Sequence, residues 1–184
     1  MNSNNLFLKI SISLILLLII SCDDSNSTET SNPKSDLDYL FINELQADNE
    51  TGITDESGNF EDWIEIFNSS DSTISLGGLY LSDNNDEWVF PFSDSTVIPP
   101  NGFLIIWTDK DDIEGVLHTN FKLSKSGEKV TLYSIENNIK NIIDEVIFDS
   151  LGTDKSYGRV TDGNTEMKVF DKPSPGQSNN SQIE

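Results

Sequence analysis

From Leu37 onward the chain is cut into short β-favouring runs, and the cuts come too often for helices. DYLFINEL, DWIEIFN, GLYLSD, EWVFP, STVIP, FLIIWTD, EKVTLYS, NIIDEVIFD and SYGRV are rich in Ile, Val, Phe, Tyr and Trp, and none exceeds nine residues. Turn-forming stretches separate them: Asp55-Glu56-Ser57-Gly58, Gly77-Gly78, Pro99-Pro100-Asn101-Gly102, Lys125-Ser126-Gly127 and Thr161-Asp162-Gly163-Asn164. Short strands with such punctuation specify an all-β sandwich or barrel. No window sustains a helical period, and DIEGVLHTNF, residues 112–121, has room for one short helical turn at most.

Side chains alternate along a strand, so Trp63, Glu65 and Phe67 fall on one face and Ile64 and Ile66 on the other. By the same rule Glu44 is expected on the face of Leu40 and Ile42. A carboxylate buried there must accept hydrogen bonds or hold a cation, because an unpaired buried charge is too costly. The expected role for Glu44 and Glu65 is therefore structural, each stapling a loop. Arg159, the sole arginine, is expected to pair with a buried carboxylate or to lie flat on an aromatic ring.

The start of the chain is of another kind. Ile10 to Ile20 is an almost unbroken aliphatic run preceded by one cation, Lys9. It falls short of the ~20 apolar residues of a membrane-spanning helix and fits a signal peptide. The run ends in Ile19-Ile20-Ser21-Cys22, and Cys22 is the chain's only cysteine. Residues 23–36, DDSNSTETSNPKSD, contain no aliphatic or aromatic side chain and read as a disordered tether. The expected organisation is a signal peptide at 1–21, an anchor and linker at 22–36, a sandwich at 37–180 and a frayed end at 181–184. Without its leader the chain keeps about 160 residues, enough for one domain and too few for two.

Charge and residue inventory narrow the chemistry. With 32 acidic residues against 11 basic ones, the formal net charge is −21. That argues against nucleic acid and anionic membrane surfaces as direct partners. Nucleophilic catalysis would need a base, and the only histidine is His118. Paired carboxylates could in principle hydrolyse a glycoside, but acids are so abundant that chance pairs are expected. One histidine and one anchoring cysteine cannot fill a tetrahedral zinc site of the usual kind.

Gly77-Gly78 lacks the lysine and helix of a phosphate loop. No cofactor is required, and calcium is the one worth weighing. The oxygen-bearing Asp55, Ser57, Asn59, Glu61 and Asp62 are its candidate ligands, with Asp83–Glu87 and Asp109–Asp112 as similar acidic loops. The first loop is no EF-hand, since Phe60 and Ile66 stand where a glycine and a glutamate belong.

Two resemblances add to this reading. Ser21-Cys22 at the end of an apolar run resembles the lipobox of bacterial lipoproteins, which implies that Cys22 is lipidated and becomes the mature N-terminus. The sandwich region, from about Phe41 to Asn179, resembles the lamin tail domain family. That likeness rests on Ile42-Asn43-Glu44-Leu45, Asp62-Trp63-Ile64-Glu65-Ile66-Phe67-Asn68 and Leu76-Gly77-Gly78-Leu79-Tyr80-Leu81-Ser82-Asp83. It continues in Trp88-Val89-Phe90-Pro91, Ile98-Pro99-Pro100-Asn101-Gly102-Phe103-Leu104 and Leu117-His118-Thr119-Asn120-Phe121-Lys122-Leu123-Ser124. Asp154-Lys155-Ser156-Tyr157-Gly158-Arg159 and Lys172-Pro173-Ser174-Pro175-Gly176 complete it.

The family implies an immunoglobulin-like β-sandwich that binds or tethers and is not an enzyme, and membership would explain His118 without catalysis. The chain has no heptad rod, so nothing of nuclear filaments carries over. The expected function is a lipid-anchored module of the bacterial cell envelope that tethers a protein or polymer, with no small-molecule substrate. A calcium-dependent adhesion module is the alternative, and a carboxylate hydrolase a third. The expected location is the outer membrane, and Asp23-Asp24 resembles the surface-export signal that some bacteria place after the lipidated cysteine.

Overall fold

The computed structural model describes residues 35–83 and 89–182. Cys22, the signal peptide, most of the tether, Trp88 and most of the Asp83–Glu87 loop lie outside the described residues. Eleven strands are seen among those described. They are β1 (Leu40–Gln46), β2 (Trp63–Asn68), β3 (Ile74–Ser75), β4 (Leu79–Ser82), β5 (Val89–Pro91), β6 (Val97–Ile98), β7 (Phe103–Trp107), β8 (Gly127–Glu136), β9 (Ile139–Asp149), β10 (Ser156–Arg159) and β11 (Met167–Phe170). A five-stranded sheet runs β11-β10-β1-β2-β7, a four-stranded sheet runs β5-β4-β8-β9, and β3 pairs with β6. Every strand pair is antiparallel. The expected β-sandwich is the fold observed.

Its core is aliphatic and two-sided. Leu40, Ile42, Leu45, Ile64, Ile66 and Ile106 come from the first sheet; Leu79, Leu81, Phe90, Val130, Leu132, Val146 and Phe148 come from the second. Each such side chain, fully buried, contributes ~1.5–3 kcal/mol. Every expected run contains a strand, while β3 and β11 were not expected. The β8–β9 hairpin turns on Asn137-Asn138, both at positive φ (51° and 62°). Asparagine tolerates that conformation, which a two-residue hairpin loop requires.

One expectation about faces is corrected. The β1–β2 register shifts between Ile42 and Glu44, leaving Asn43 as a bulge. A bulge inserts one residue and resets the alternation. The core face therefore passes from Leu40 and Ile42 to Leu45, and Glu44 points to the opposite face beside Glu65. Residues Asn179–Gln182 form a 3-10 turn, and Asn179 is fully buried.

Candidate functional site

Three polar constellations were candidates, and the first lies on the outer face of the five-stranded sheet. Glu44 and Glu65 stand opposite each other in the β1–β2 ladder, both fully buried. Glu44 accepts hydrogen bonds from the Ser156 hydroxyl, the Ser174 N–H (3.1 Å) and the Ser174 hydroxyl (2.8 Å). Glu65 accepts from the Asn43 amide at 3.1 Å and the Gly176 N–H at 2.6 Å.

Asp162, nearby, accepts from the Asn43 amide at 3.1 Å and the Asn179 N–H at 2.9 Å. Burial pushes Glu65 up to about 8, and neighbouring Glu44 and Asp162 add to that. Burial raises Glu44 as well, against its three donors. The two glutamates are thus the posts on which residues 174–179 hang. They bind the chain's own end, and neither presents an oxygen to solvent.

Gly158 makes the arrangement possible. A Cβ there would stand 2.9 Å from both the Asn43 carbonyl oxygen and Glu44 Cγ.

The second constellation centres on Arg159. Its Nε–H donates to the Ile42 carbonyl at 3.0 Å, Nη1 donates to the Asn164 carbonyl, and Nη2 donates to Asp144 Oδ2 at 2.7 Å. The guanidinium also lies 5.1 Å from the Phe41 ring centroid. Arg159 thus has a partly buried carboxylate and an aromatic ring beside it. Asp144 in turn accepts the Ile42 N–H at 2.7 Å. The β1–β10 pairing covers Glu44 and Leu45, so β1's next outward-pointing N–H and C=O are met by these side chains.

The third constellation gathers around His118. The segment Leu117–Thr119 lies along the end of β7: Trp107 N–H donates to the Leu117 carbonyl at 2.8 Å, and Thr119 N–H donates to the Trp107 carbonyl at 2.9 Å. That pairing carries the imidazole inside, where it is fully buried. Nδ1 hydrogen-bonds the Asp109 carboxylate. Nε2 faces the Glu56 Oε1 atom at 3.3 Å, within ion-pair distance but too poorly aligned for a well-formed hydrogen bond. Glu114 Oε2 lies 3.8 Å from Nδ1. Burial pulls the histidine's pKa down, but the bond to Asp109 and the charges of Asp109 and Glu56 outweigh it and hold the value above 6.5.

In the acidic loop, the Asp55 carboxylate is engaged by the turn that follows it. Asp55 Oδ1 accepts the Ser57 N–H at 2.9 Å and the Asn59 N–H at 2.8 Å, so these two residues face it as donors. Despite burial, those donors keep the Asp55 carboxyl below its usual range. Glu61 pairs with Lys122 at 3.3 Å. Asp62 accepts the Asn49 N–H at 3.1 Å, and burial raises its pKa to about 6. Among the described residues, Asp55 also groups with Glu114 and His118, their ligand atoms all within 4.8 Å of one another.

Sequence reasoning singled out Asp55 and His118 separately and treated Asp109–Asp112 as an isolated loop. It missed Glu56 and Glu114. The Glu-x-x-x-His spacing of Glu114 and His118 was the available signal.

The model of the Lamin Tail Domain family matches residues 33–149, which reach the end of β9. No curated protein matches the chain.

Proposed function

The chain belongs to the lamin tail domain family, and on that premise we propose that it is a non-catalytic binding module, lipid-anchored through Cys22, that tethers a partner at a bacterial envelope membrane. The family is one of immunoglobulin-like, non-enzymatic domains. The cysteine at the end of the apolar leader supports the anchor, since two or more acyl chains on it would give stable attachment where one alone is marginal. The polar tether at 22–36 supports a sandwich held off the bilayer.

The observation that carries the binding role is strand β9. It is the last strand of its sheet and sets Ile139, Ile142 and Ile147 toward solvent, each about three-fifths exposed. Edge strands are ordinarily shielded by charge, bulges or covering loops. β9 carries an irregularity at Ile143, and its Asp144 is taken by β1; to either side, its outward isoleucines offer apolar contact, and its edge main-chain pairing, to an extended protein segment. A protein partner is favoured over a polymer for that reason.

The test uses cells expressing the full chain with a photo-crosslinking side chain at Ile147 or, as control, at exposed Val169 on β11. A discrete adduct is expected from Ile147 and not from Val169. In the Cys22→Ser background the chain should leave the membrane fraction, and the adduct should be lost with it. Identical labelling from both positions, or none from Ile147, would contradict the proposed edge.

A further inference from the structure

We propose that Asp55, Glu56, Glu114 and His118 form a binding site for one divalent transition-metal ion, with His118 Nε2 as its nitrogen ligand. Three observations carry this. The imidazole is fully buried, and its Nε2 has no hydrogen-bond partner although a carboxylate oxygen lies 3.3 Å away. Facing carboxylates, Nε2 calls for a cation between ring and acids, and a metal ion can stand there in place of a proton.

The second observation is the Asp109 carboxylate on Nδ1. It fixes the tautomer that leaves Nε2 free, as carboxylates do behind metal-ligating histidines. The third is the convergence of acids from two segments, residues 55–56 and residue 114, on that one ring. The ligand atoms of Asp55, Glu114 and His118 lie within 4.8 Å of one another and Glu56 Oε1 lies 3.3 Å from Nε2, so side-chain adjustment would let them share an ion at the ~2.0–2.2 Å bond lengths of nitrogen and carboxylate ligands.

Gly115 holds the geometry open. A Cβ there would lie 3.2 Å from His118 Cδ2 and 3.4 Å from Glu56 Oε1. The donor set also selects the ion. Calcium and magnesium prefer all-oxygen shells, whereas an imidazole nitrogen suits zinc and its neighbours. The expectation that zinc lacks ligands counted histidine and cysteine and left out carboxylates, which are zinc ligands too.

The experiment takes the full chain in a non-ionic detergent, stripped with a chelator, and adds zinc as the probe, with calcium as control. One equivalent of zinc should survive dialysis and raise the melting temperature, while calcium leaves it unchanged. Glu56→Gln and Glu114→Gln, whose side chains are 64 % and 33 % exposed, should fold and weaken zinc binding by about tenfold or more, the range seen when a metal site loses a supporting group.

Because His118 is the only histidine, its ring ¹⁵N signals report one site. Zinc should leave Nδ1 protonated and convert Nε2 to a metal-bound nitrogen. Three results would each overturn the proposal: zinc binding unchanged in both glutamine variants, calcium competing equally, or a ring protonated at both nitrogens in excess zinc.

Discussion

Raising the pH from 5 to 8 is expected to destabilise the sandwich by about 3 kcal/mol through Glu65 alone, since each pKa unit is worth ~1.4 kcal/mol. Glu65 titrates near 8 in the folded chain because burial disfavours its charge. In the unfolded chain it titrates near 4.5. Between those values the native state holds a proton that the unfolded state has released, so stability falls as pH rises and the loss is complete above the folded pKa.

Glu44, raised by burial as well, acts in the same direction. Of the pair, Glu65 keeps the proton more readily, because it has two donors where Glu44 has three. Asp55, Asp154 and Asp171 have lowered values and lose their contribution only in acid, below this window. Urea unfolding followed by tryptophan fluorescence at pH 5 and 8 measures the slope. Glu65→Gln should make it shallower, because glutamine carries no charge to desolvate, and leave the part due to Asp62, Glu44, Glu128 and His118, whose values are raised as well. Parallel slopes in the two proteins would show that Glu65 is ionised throughout and that its proton plays no part.

Arg159→Ala is expected to cost about 3–5 kcal/mol, the effect of removing one partner from a buried ion pair. The substitution leaves Asp144, only 15 % exposed, without its cation. It also strips donors from the carbonyls of Ile42 and Asn164. Because Asp144 lies on β9 and Ile42 on β1, this cluster joins the two sheets, and its loss should lower cooperativity as well as the urea midpoint. Arg159→Lys should recover less than half of the loss, since one ammonium cannot serve three acceptors in the guanidinium's fixed plane. A cost under about 1 kcal/mol for Arg159→Ala would place the pair among weak surface ion pairs.

Much of this architecture was legible in the sequence because its signals are local. Branched and aromatic residues mark β2 and β8, and turn-forming residues bound them. Arg159 could be assigned its two kinds of partner because a lone arginine amid β-strands has few other uses. What escaped was set by single-residue backbone events and by distant segments. The bulge at Asn43 turns Glu44 from the core to the outer face, and nothing in Ile42-Asn43-Glu44 announces it.

The two-residue strand β3 is too short for any periodicity, and β11, Met167–Phe170, was passed over. The His118 cluster joins residues 55–56 to residues 109–118, a proximity that only the packing of the loop beside β7 creates. The buried glutamates were expected to staple a loop; that the loop is the chain's own end depends on Ser174 and Gly176, more than a hundred residues away.

The central claim, a lamin-tail sandwich tethered through a lipidated Cys22, is tested most directly by the intact mass of the protein extracted from membranes. The expected species begins at Cys22 and carries the added mass of its acyl chains, with the modification mapped to a proteolytic fragment that contains Cys22. A membrane-extracted chain that begins elsewhere, or that carries an unmodified Cys22, would contradict the claim.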